Sequence, residues 1–484
     1  MSLQAAFRSS QSALAANAFQ TATVSRNVSG AGSASYVRKI ALVDTAVTGM
    51  TSATRVARAT DLALQSATLN ASAAAQGDEA LSKALDILQT IIGDPANGTS
   101  PSARISNLKV ALLQAASAPQ DAAGLSSAVS AAQSLATTLN NASDTVQQAR
   151  LQADRDMSDA VSTINSLLTS FGQANSAIVA GRAAGKDVTD VQDRRDAILA
   201  DLAKQVPIST IQESDGGISI YTDSGVAMFQ GAARTVSMTP TQTYSASTSG
   251  QAVYIDGVAV TGSAAAMPLK SGALAGLSTF RDTIAVSLQS QLDEVAVGLV
   301  SAFAQTPAGG MSSQNRTGLF AWSGTPTLPA TGTAGIAAEI QVDPSVIRDP
   351  NLLRDGGIGN DPAYVSNPNG ASSYSSRLYA LADALGATQS FMATGLASRQ
   401  SVTDLASQSE AWFEGIRQEA TDQATNSNAS FVQAAAAFSN AAGVNIDDQM
   451  SQMLDLENSY QASAKMMATI DTMYAALFNA LKTS

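Results

Sequence analysis

The stretch Val444 to Leu481 constrains this chain more than any other. Apolar side chains at Ile446, Met450, Met453, Tyr460, Ala464, Met467, Ile470, Tyr474, Phe478 and Leu481 recur at steps near three and four. That spacing lines one face of a single long helix, and neither Pro nor Gly interrupts it. At about 1.5 Å per residue the helix reaches roughly 57 Å. Its seam is small, Met-rich and edged by Glu457 and Asp471, so it buries too little apolar surface to be stable alone in water. The chain must supply a partner.

The opening residues offer one. Leu3, Phe7, Ser10, Leu14, Asn17, Thr21, Val24 and Val28 step by four and three. No acidic residue precedes Asp44, whereas Arg8, Arg26, Arg38 and Lys39 are basic. The C-terminal stretch carries Asp447, Asp448, Asp455, Glu457 and Asp471 against Lys465 and Lys482. Two weakly apolar helices of opposite sign at the two ends of the chain predict a pair lying side by side.

At 484 residues the chain exceeds one ordinary core, and about two to four domains are expected. Aromatics make up 5% and charged residues 14%, with Ala, Ser, Thr and Gln in their place, which favours long helices packed through small side chains. The formal charge of -12 argues against a nucleic-acid partner. The sequence has neither Cys nor His, which excludes disulfides, thiolate nucleophiles, the commonest metal ligand and every Ser–His or Cys–His arrangement. No catalysis, cofactor or metal is expected. The most apolar run, Val295 to Ala304, is too short to span a bilayer, so no membrane insertion is expected. The N-terminus lacks the apolar core of a cleaved secretory signal; it has only a faint, acid-free resemblance to a transit peptide.

Read in order, Gly30 and Gly32 end the first helix and helical patterning resumes by Ala53. Leu81, Leu85, Leu88 and Ile92 share a face up to the stop at Asp94-Pro95 and Asn97-Gly98. Ser100-Pro101 opens a short helix closed by Ala118-Pro119. A longer helical region runs from Asp121 to about Val179, with Gly181 and Gly185 as its breakers, and another from Asp187 to Lys204. From Ile208 the pattern alternates, and Val253 to Val260 reads as a hairpin turning at Asp256-Gly257. Leu274 to Gln305 returns to helix, a Gly- and Pro-rich stretch with a strand-like piece at Ile336 to Val342 follows, and Ser376 to Asn440 reads as helix again.

The expected fold is therefore mainly α with an inserted β region, in three nested levels. Residues 1–40 with 444–484 form a coiled-coil-like shaft. Residues 41–206, 272–306 and 376–443 form a long-helix bundle, and 207–271 with 307–375 form a β-rich outer domain. A chain with both ends in one shaft and its middle pushed outwards suits a building block of a tubular assembly.

Several short stretches resemble a known family. Gly443-Val444-Asn445-Ile446-Asp447 with Gln452, then Tyr460-Gln461-Ala462-Ser463-Ala464, resembles the C-terminal signature of bacterial flagellar rod, hook and hook-associated proteins. Asn27, Tyr36 and Arg38 resemble their N-terminal motif, although Ser35 stands where the motif glycine belongs. Val191 to Asp196, Gly272 to Leu277 with Phe280-Arg281-Asp282, and Gly318-Leu319-Phe320 resemble the hook–filament junction (FlgK) family in particular; residues 230–262 and 321–375 carry little of the likeness.

The resemblance implies a structural subunit without catalysis. It would be exported unfolded by the flagellar apparatus without a cleaved signal, its C-terminal helix held beforehand by a dedicated chaperone. Outside the cell it would form a homo-oligomeric ring, a short annular layer. Its neighbours would be the hook protein on one side and a filament-side junction protein and the flagellin filament on the other. Alternatives are another flagellar axial or filament subunit, or a flagellum-exported peptidoglycan hydrolase.

The residues expected to line helix–helix contacts in that assembly are Leu3, Phe7, Leu14, Val24, Val28, Ile446, Met450, Met453, Tyr460, Met467, Ile470, Tyr474 and Leu481. Asp193, Arg194, Arg195 and Asp196 read as a helix-surface ion-pair set or an interdomain latch. Gly181 to Asp187 fails as a phosphate loop because only three residues separate its glycines, Asp follows the Lys, and a helix precedes it. Glu410 and Glu414 share a helix face as ordinary solvated carboxylates.

Overall fold

The computed structural model describes residues 3–33, 35–45, 51–92, 98–307 and 314–482. The chain runs α1 (Leu3–Gly30), β1 (Lys39–Thr45), β2 (Thr51–Arg58), α2 (Leu62–Ile92), α3 (Pro101–Ser117), α4 (Ala122–Ala183) and α5 (Thr189–Gln205). Short strands follow: β3 (Ile208–Gln212), β4 (Ile218–Thr222), β5 (Ala227–Gln230), β6 (Ala232–Ala233), β7 (Val236–Ser237), β8 (Tyr254–Ile255) and β9 (Val258–Ala259). Next come α6 (Ala273–Thr279), a π turn at Phe280–Ile284 and α7 (Ala285–Ala302). Small elements lead on: β10 (Phe320–Ala321), α8 (Ile336–Glu339), β11 (Gln341–Val342), α9 (Pro344–Arg348), α10 (Asn351–Asp355), α11 (Ser376–Ala384), β12 (Gln389–Ser390) and β13 (Arg399–Gln400). The last two helices are α12 (Val402–Ala442) and α13 (Ile446–Lys482). The fold is mainly α with small antiparallel sheets inserted.

Local sequence explains the helix ends. Ser100 Oγ accepts from Ala103 N, with Pro101 in the first turn of α3. Asp121 accepts from Ala123 N and Gly124 N at the start of α4. Ser401 Oγ accepts from Asp404 N and donates to Asp404 Oδ2, a reciprocal cap for α12. Asn445 Oδ1 accepts from Asp447 N at 2.9 Å and so starts α13. α4 runs through Gly181 and ends where Gly185 takes φ +68°, with Lys186 N donating to Gly181 O.

The described residues divide into two compact units. The first comprises Met1–Ala75, Ser162–Val236 and Asn426–Ser484. Its core includes Ile164, Leu168, Phe171 and Ile178 of α4 and Leu199, Leu202 and Val206 of α5, all buried. Phe171 meets Phe229 of β5 edge to face at 4.9 Å. Strands β3, β4, β5 and β6 form one antiparallel sheet in that order.

The second unit comprises Gln76–Val161 and Ser237–Thr425. Ile105, Leu108 and Leu112 of α3 and Leu378 and Leu381 of α11 are buried in it. The buried carboxylate Asp293 of α7 accepts from Gly335 N and Ala337 N, and its neighbour Glu294 accepts from Met392 N, so both serve as anchors for loops. A second polar group centres on the π turn. Arg281 Nη1 donates to Asp154 Oδ1 at 2.5 Å, and both side chains are fully buried. Asp154 also accepts from Thr241 N and Tyr244 Oη, each at 2.8 Å. Arg150 donates to Ser245 O, Thr248 O and Arg281 O, and stacks over the Tyr244 ring. The stretch from Thr241 to Gln251 is therefore fastened to the helices by two buried arginines and one carboxylate. Burial, then the hydrogen bond to Asp154, pushes the Tyr244 hydroxyl up to about 12.

Three local expectations give way. Residues 51–58 form a strand, not a helix: β1 and β2 pair as an antiparallel hairpin with a bulge at Leu42/Val43. Helix is expected to resume by Ala53, but Arg58 stands opposite Lys39 across the hairpin and reaches Asp193 and Asp196 with its guanidinium. The reach from Ser376 to Asn440 is interrupted by the β12–β13 hairpin, where Gly395 takes φ +80° and Phe391 N donates to Ser398 O. Ile336 to Glu339 is one helical turn, and only Gln341–Val342 pairs as strand. The Asp256-Gly257 hairpin is present, with both residues at positive φ as its turn requires. The expected helix stop at Asp94, Pro95 and Asn97 lies outside the described residues.

Candidate assembly site at the terminal helices

α1 and α13 pair antiparallel within the first unit. Asn17 Nδ2 donates to Ser459 Oγ at 2.9 Å and Asn27 Nδ2 to Gln449 Oε1 at 2.7 Å, so the register runs in opposite directions. On α13 the least exposed positions are Gln449, Met453, Leu456, Ser463, Met467, Ile470 and Tyr474, at heptad spacing. On α1 they include Ser10, Asn17, Val24 and Asn27. Half of this seam is polar. Apolar burial therefore contributes little, and hydrogen bonds set the register.

Asn27 is the hub. Its amide donates to Lys39 O at 2.9 Å and to Gln449 Oε1, while its oxygen accepts from Lys39 N at 2.8 Å and Tyr36 Oη at 3.0 Å. Both N–H donors and both lone pairs are used, and the backbone of Lys39 dictates the orientation of the amide. One buried side chain thus ties α1, the start of the β1–β2 hairpin and the first turn of α13. Arg38 N adds a bond to Ala442 O at 2.8 Å, joining the hairpin to the end of α12.

A charged collar surrounds this hub. The Lys39 ammonium is wholly buried, in contact with Asp190, 3.5 Å from Asp193 and 4.7 Å from the centre of the Tyr36 ring. Arg58 Nε lies 2.8 Å from Asp193 and its Nη2 2.5 Å from Asp196. The three carboxylates sit three residues apart on α5, one face of a helix turned towards two cations. Burial raises the Asp193 carboxyl, and Arg58 and Lys39 oppose the shift. Burial, then Asp193, pushes the Tyr36 hydroxyl up to about 12. Arg195 points elsewhere: it donates to Asn175 Oδ1 and Gly216 O and so holds the β3–β4 turn. Arg194 is exposed and outside the network.

The structure thus places the expected residues unevenly. Val24 and Ile470 are buried; Leu3, Phe7, Leu14, Val28, Met453, Met467 and Tyr474 are half-buried; Ile446, Met450, Tyr460 and Leu481 remain exposed. Leu454, Met466, Met473, Leu477 and Phe478 are exposed as well, Phe478 to 63%. Gln449 and Lys39 are not expected at the site from the sequence: their partners, Asn27 and the carboxylates of α5, lie far away in sequence.

Among the described residues no group of three or more His, Cys, Asp or Glu is arranged to hold a metal ion. No described helix is long and apolar enough to cross a membrane. Glu410 accepts from Ser102 N and Ser102 Oγ, and Glu414 pairs with Arg417, so each has a structural partner.

Comparison with known proteins reaches α5 of the collar and α13, but not α1. Residues 85–320 match the family model of the flagellar hook-associated protein FlgK helical domain. Residues 435–480, which cover α13 up to Ala480, match that of the flagellar basal body rod FlgEFG protein C-terminal region. The flagellar hook junction protein FlgK from Burkholderia pseudomallei is a similar solved structure, with 23% identity and a TM-score of 0.44 over 53% of this chain. The chain spans about half, 47%, of that structure's length. No curated protein matches.

Proposed function

We propose that this chain is a structural subunit of the hook–filament junction, installed through its paired terminal helices. The reading is supported by the match of residues 85–320 to the FlgK helical-domain model and of residues 435–480 to the flagellar rod C-terminal model. The observation carrying this reading is the apolar surface that α13 leaves in water after α1 has packed against it, from Ile446 and Met450 to Leu477, Phe478 and Leu481. Each such side chain gains roughly 1.5–3 kcal/mol on full burial, which only neighbouring helices can provide. Copies of the chain would close into an annular layer with the hook protein on one side and a filament-side junction protein and the flagellin filament on the other. The three nested levels expected from the sequence belong to this proposal. So do export without a cleaved signal, shielding of α13 by a dedicated chaperone before export, and an extracellular, non-catalytic role.

Deleting the gene tests the reading. Cells should retain hooks, lack filaments and shed monomeric filament protein into the medium, and the full chain should restore filaments where a chain lacking residues 446–484 does not. Filaments of ordinary number on the deleted strain, or full rescue by the shortened chain, would contradict it.

A further inference from the structure

The first unit carries a cleft of about 900 Å³ whose wall is rich in cations. α1 contributes Arg26, β2 contributes Arg55 and Arg58, and the end of α4 and the turn after it contribute Arg182 and Lys186. The carboxylates in the wall are already engaged, Asp187 by Arg26 at 2.9 Å and Asp196 by Arg58 at 2.5 Å. Arg55, Arg182 and Lys186 are exposed and make no ion pair among the described residues. Leu62, 60% exposed, adds an apolar patch to the same wall. In a chain of formal charge -12, three uncompensated cations around one concavity form a local well for a carboxylate-bearing partner.

α13 offers the complementary edge. Asp448 and Asp455 lie seven residues apart, hence on one side of the helix, each one residue before an inward-facing position, Gln449 or Leu456. Both are exposed, as is Asp447, and none of the three makes an ion pair among the described residues. Leu454, 60% exposed, stands beside them as a counterpart to Leu62.

The same chain's α13 cannot fill the cleft. On α1 the cleft is lined by Phe19, Ala22, Thr23 and Arg26, whereas Asn17 and Asn27 bond to α13. At roughly 100° per residue the two sets centre on different faces of α1. We propose that this basic cleft receives the acidic outer edge of α13, around Asp448 and Asp455, from a second copy of the chain. The inference rests on the self-assembly reading above and names one of its contacts.

The absence of cysteine from the sequence makes the test clean. Two differently tagged copies, one Lys186→Cys and the other Asp455→Cys, are assembled together and treated with a short bifunctional maleimide. A crosslink between the two tags is expected in assembled material and not in dilute monomer. Arg55→Glu with Arg182→Glu and Lys186→Glu should raise the concentration needed for assembly roughly tenfold or more. Asp448→Lys with Asp455→Lys in the same chain should restore it. If wild-type chains assemble but the crosslink is missing, or charge reversal changes nothing, the cleft contact is wrong and the self-assembly reading stands. If reversal weakens assembly and the α13 reversal does not rescue it, another acidic partner occupies the cleft, which also overturns the proposal. If wild-type chains never assemble, both readings fall.

Discussion

Replacing Asp154 with alanine is expected to destabilise the second unit by about 3 kcal/mol, the lower end of the ~3–5 kcal/mol range for breaking a buried ion pair from one side. The substitution removes the carboxylate facing the fully buried Arg281 guanidinium and leaves Thr241 N and Tyr244 Oη without their acceptor. Asp282 still engages Arg281 at 2.8 Å, which keeps the loss away from the upper end of the range. The stretch from Thr241 to Gln251 should then loosen, because its bonds to Arg150 and Arg281 depend on that carboxylate holding Arg281 in place. Urea unfolding of the full chain should show a lowered midpoint for one transition, and limited proteolysis should open a new cut between residues 241 and 251. An unchanged midpoint with the loop still resistant would show that Asp282 alone satisfies Arg281.

Asn27→Leu is expected to be the most damaging single change in the first unit. Leucine keeps the branched shape and removes all four hydrogen bonds, stranding Lys39 N and O and Gln449 Oε1 in a buried setting and leaving the half-buried Tyr36 hydroxyl without its acceptor. Each stranded group costs about 1–3 kcal/mol. The total should be enough to detach α1 from the start of α13 while α4 and α5 stay folded. Gln449→Leu removes one of those bonds, so its cost should be markedly smaller. A double-mutant cycle between the two should give a coupling energy well above zero. Equal effects of the two single changes would show that Asn27 is one contact among many.

The helices are legible in the sequence, since α4, α5 and α13 keep an apolar stripe at helical spacing over many turns. The pairing of α1 with α13 is legible in their matching seams and opposite charges. Other features were illegible for identifiable reasons. β2 reads as helix, which is expected to resume by Ala53, while the partners of Arg58 that favour a strand, Asp193 and Asp196, lie far away in sequence. The β12–β13 hairpin is hard to see because Leu381, Leu385 and Leu396 keep helical spacing into it. At the candidate site, Asn27 and Tyr36 stood out as motif residues, but their roles depend on Lys39 and Gln449, which look like surface side chains until the chain is folded. The tetrad Asp193 to Asp196 was visible as a charge cluster; only the fold separates the two aspartates on the collar from Arg195 on the β3–β4 turn and Arg194 in solvent.

The central claim is that the terminal helices complete their burial only against neighbouring copies. The seam in one chain is half polar, and α13 presents Tyr460, Met466, Met473, Leu477, Phe478 and Leu481 to water. Hydrogen exchange measured on amides 460–481, first in monomer and then in assembled junction, tests it most directly. Exchange should be fast in the monomer and slow by orders of magnitude after assembly, as expected when ordering is coupled to binding. Strong protection of these amides in the isolated monomer, unchanged by assembly, would contradict it.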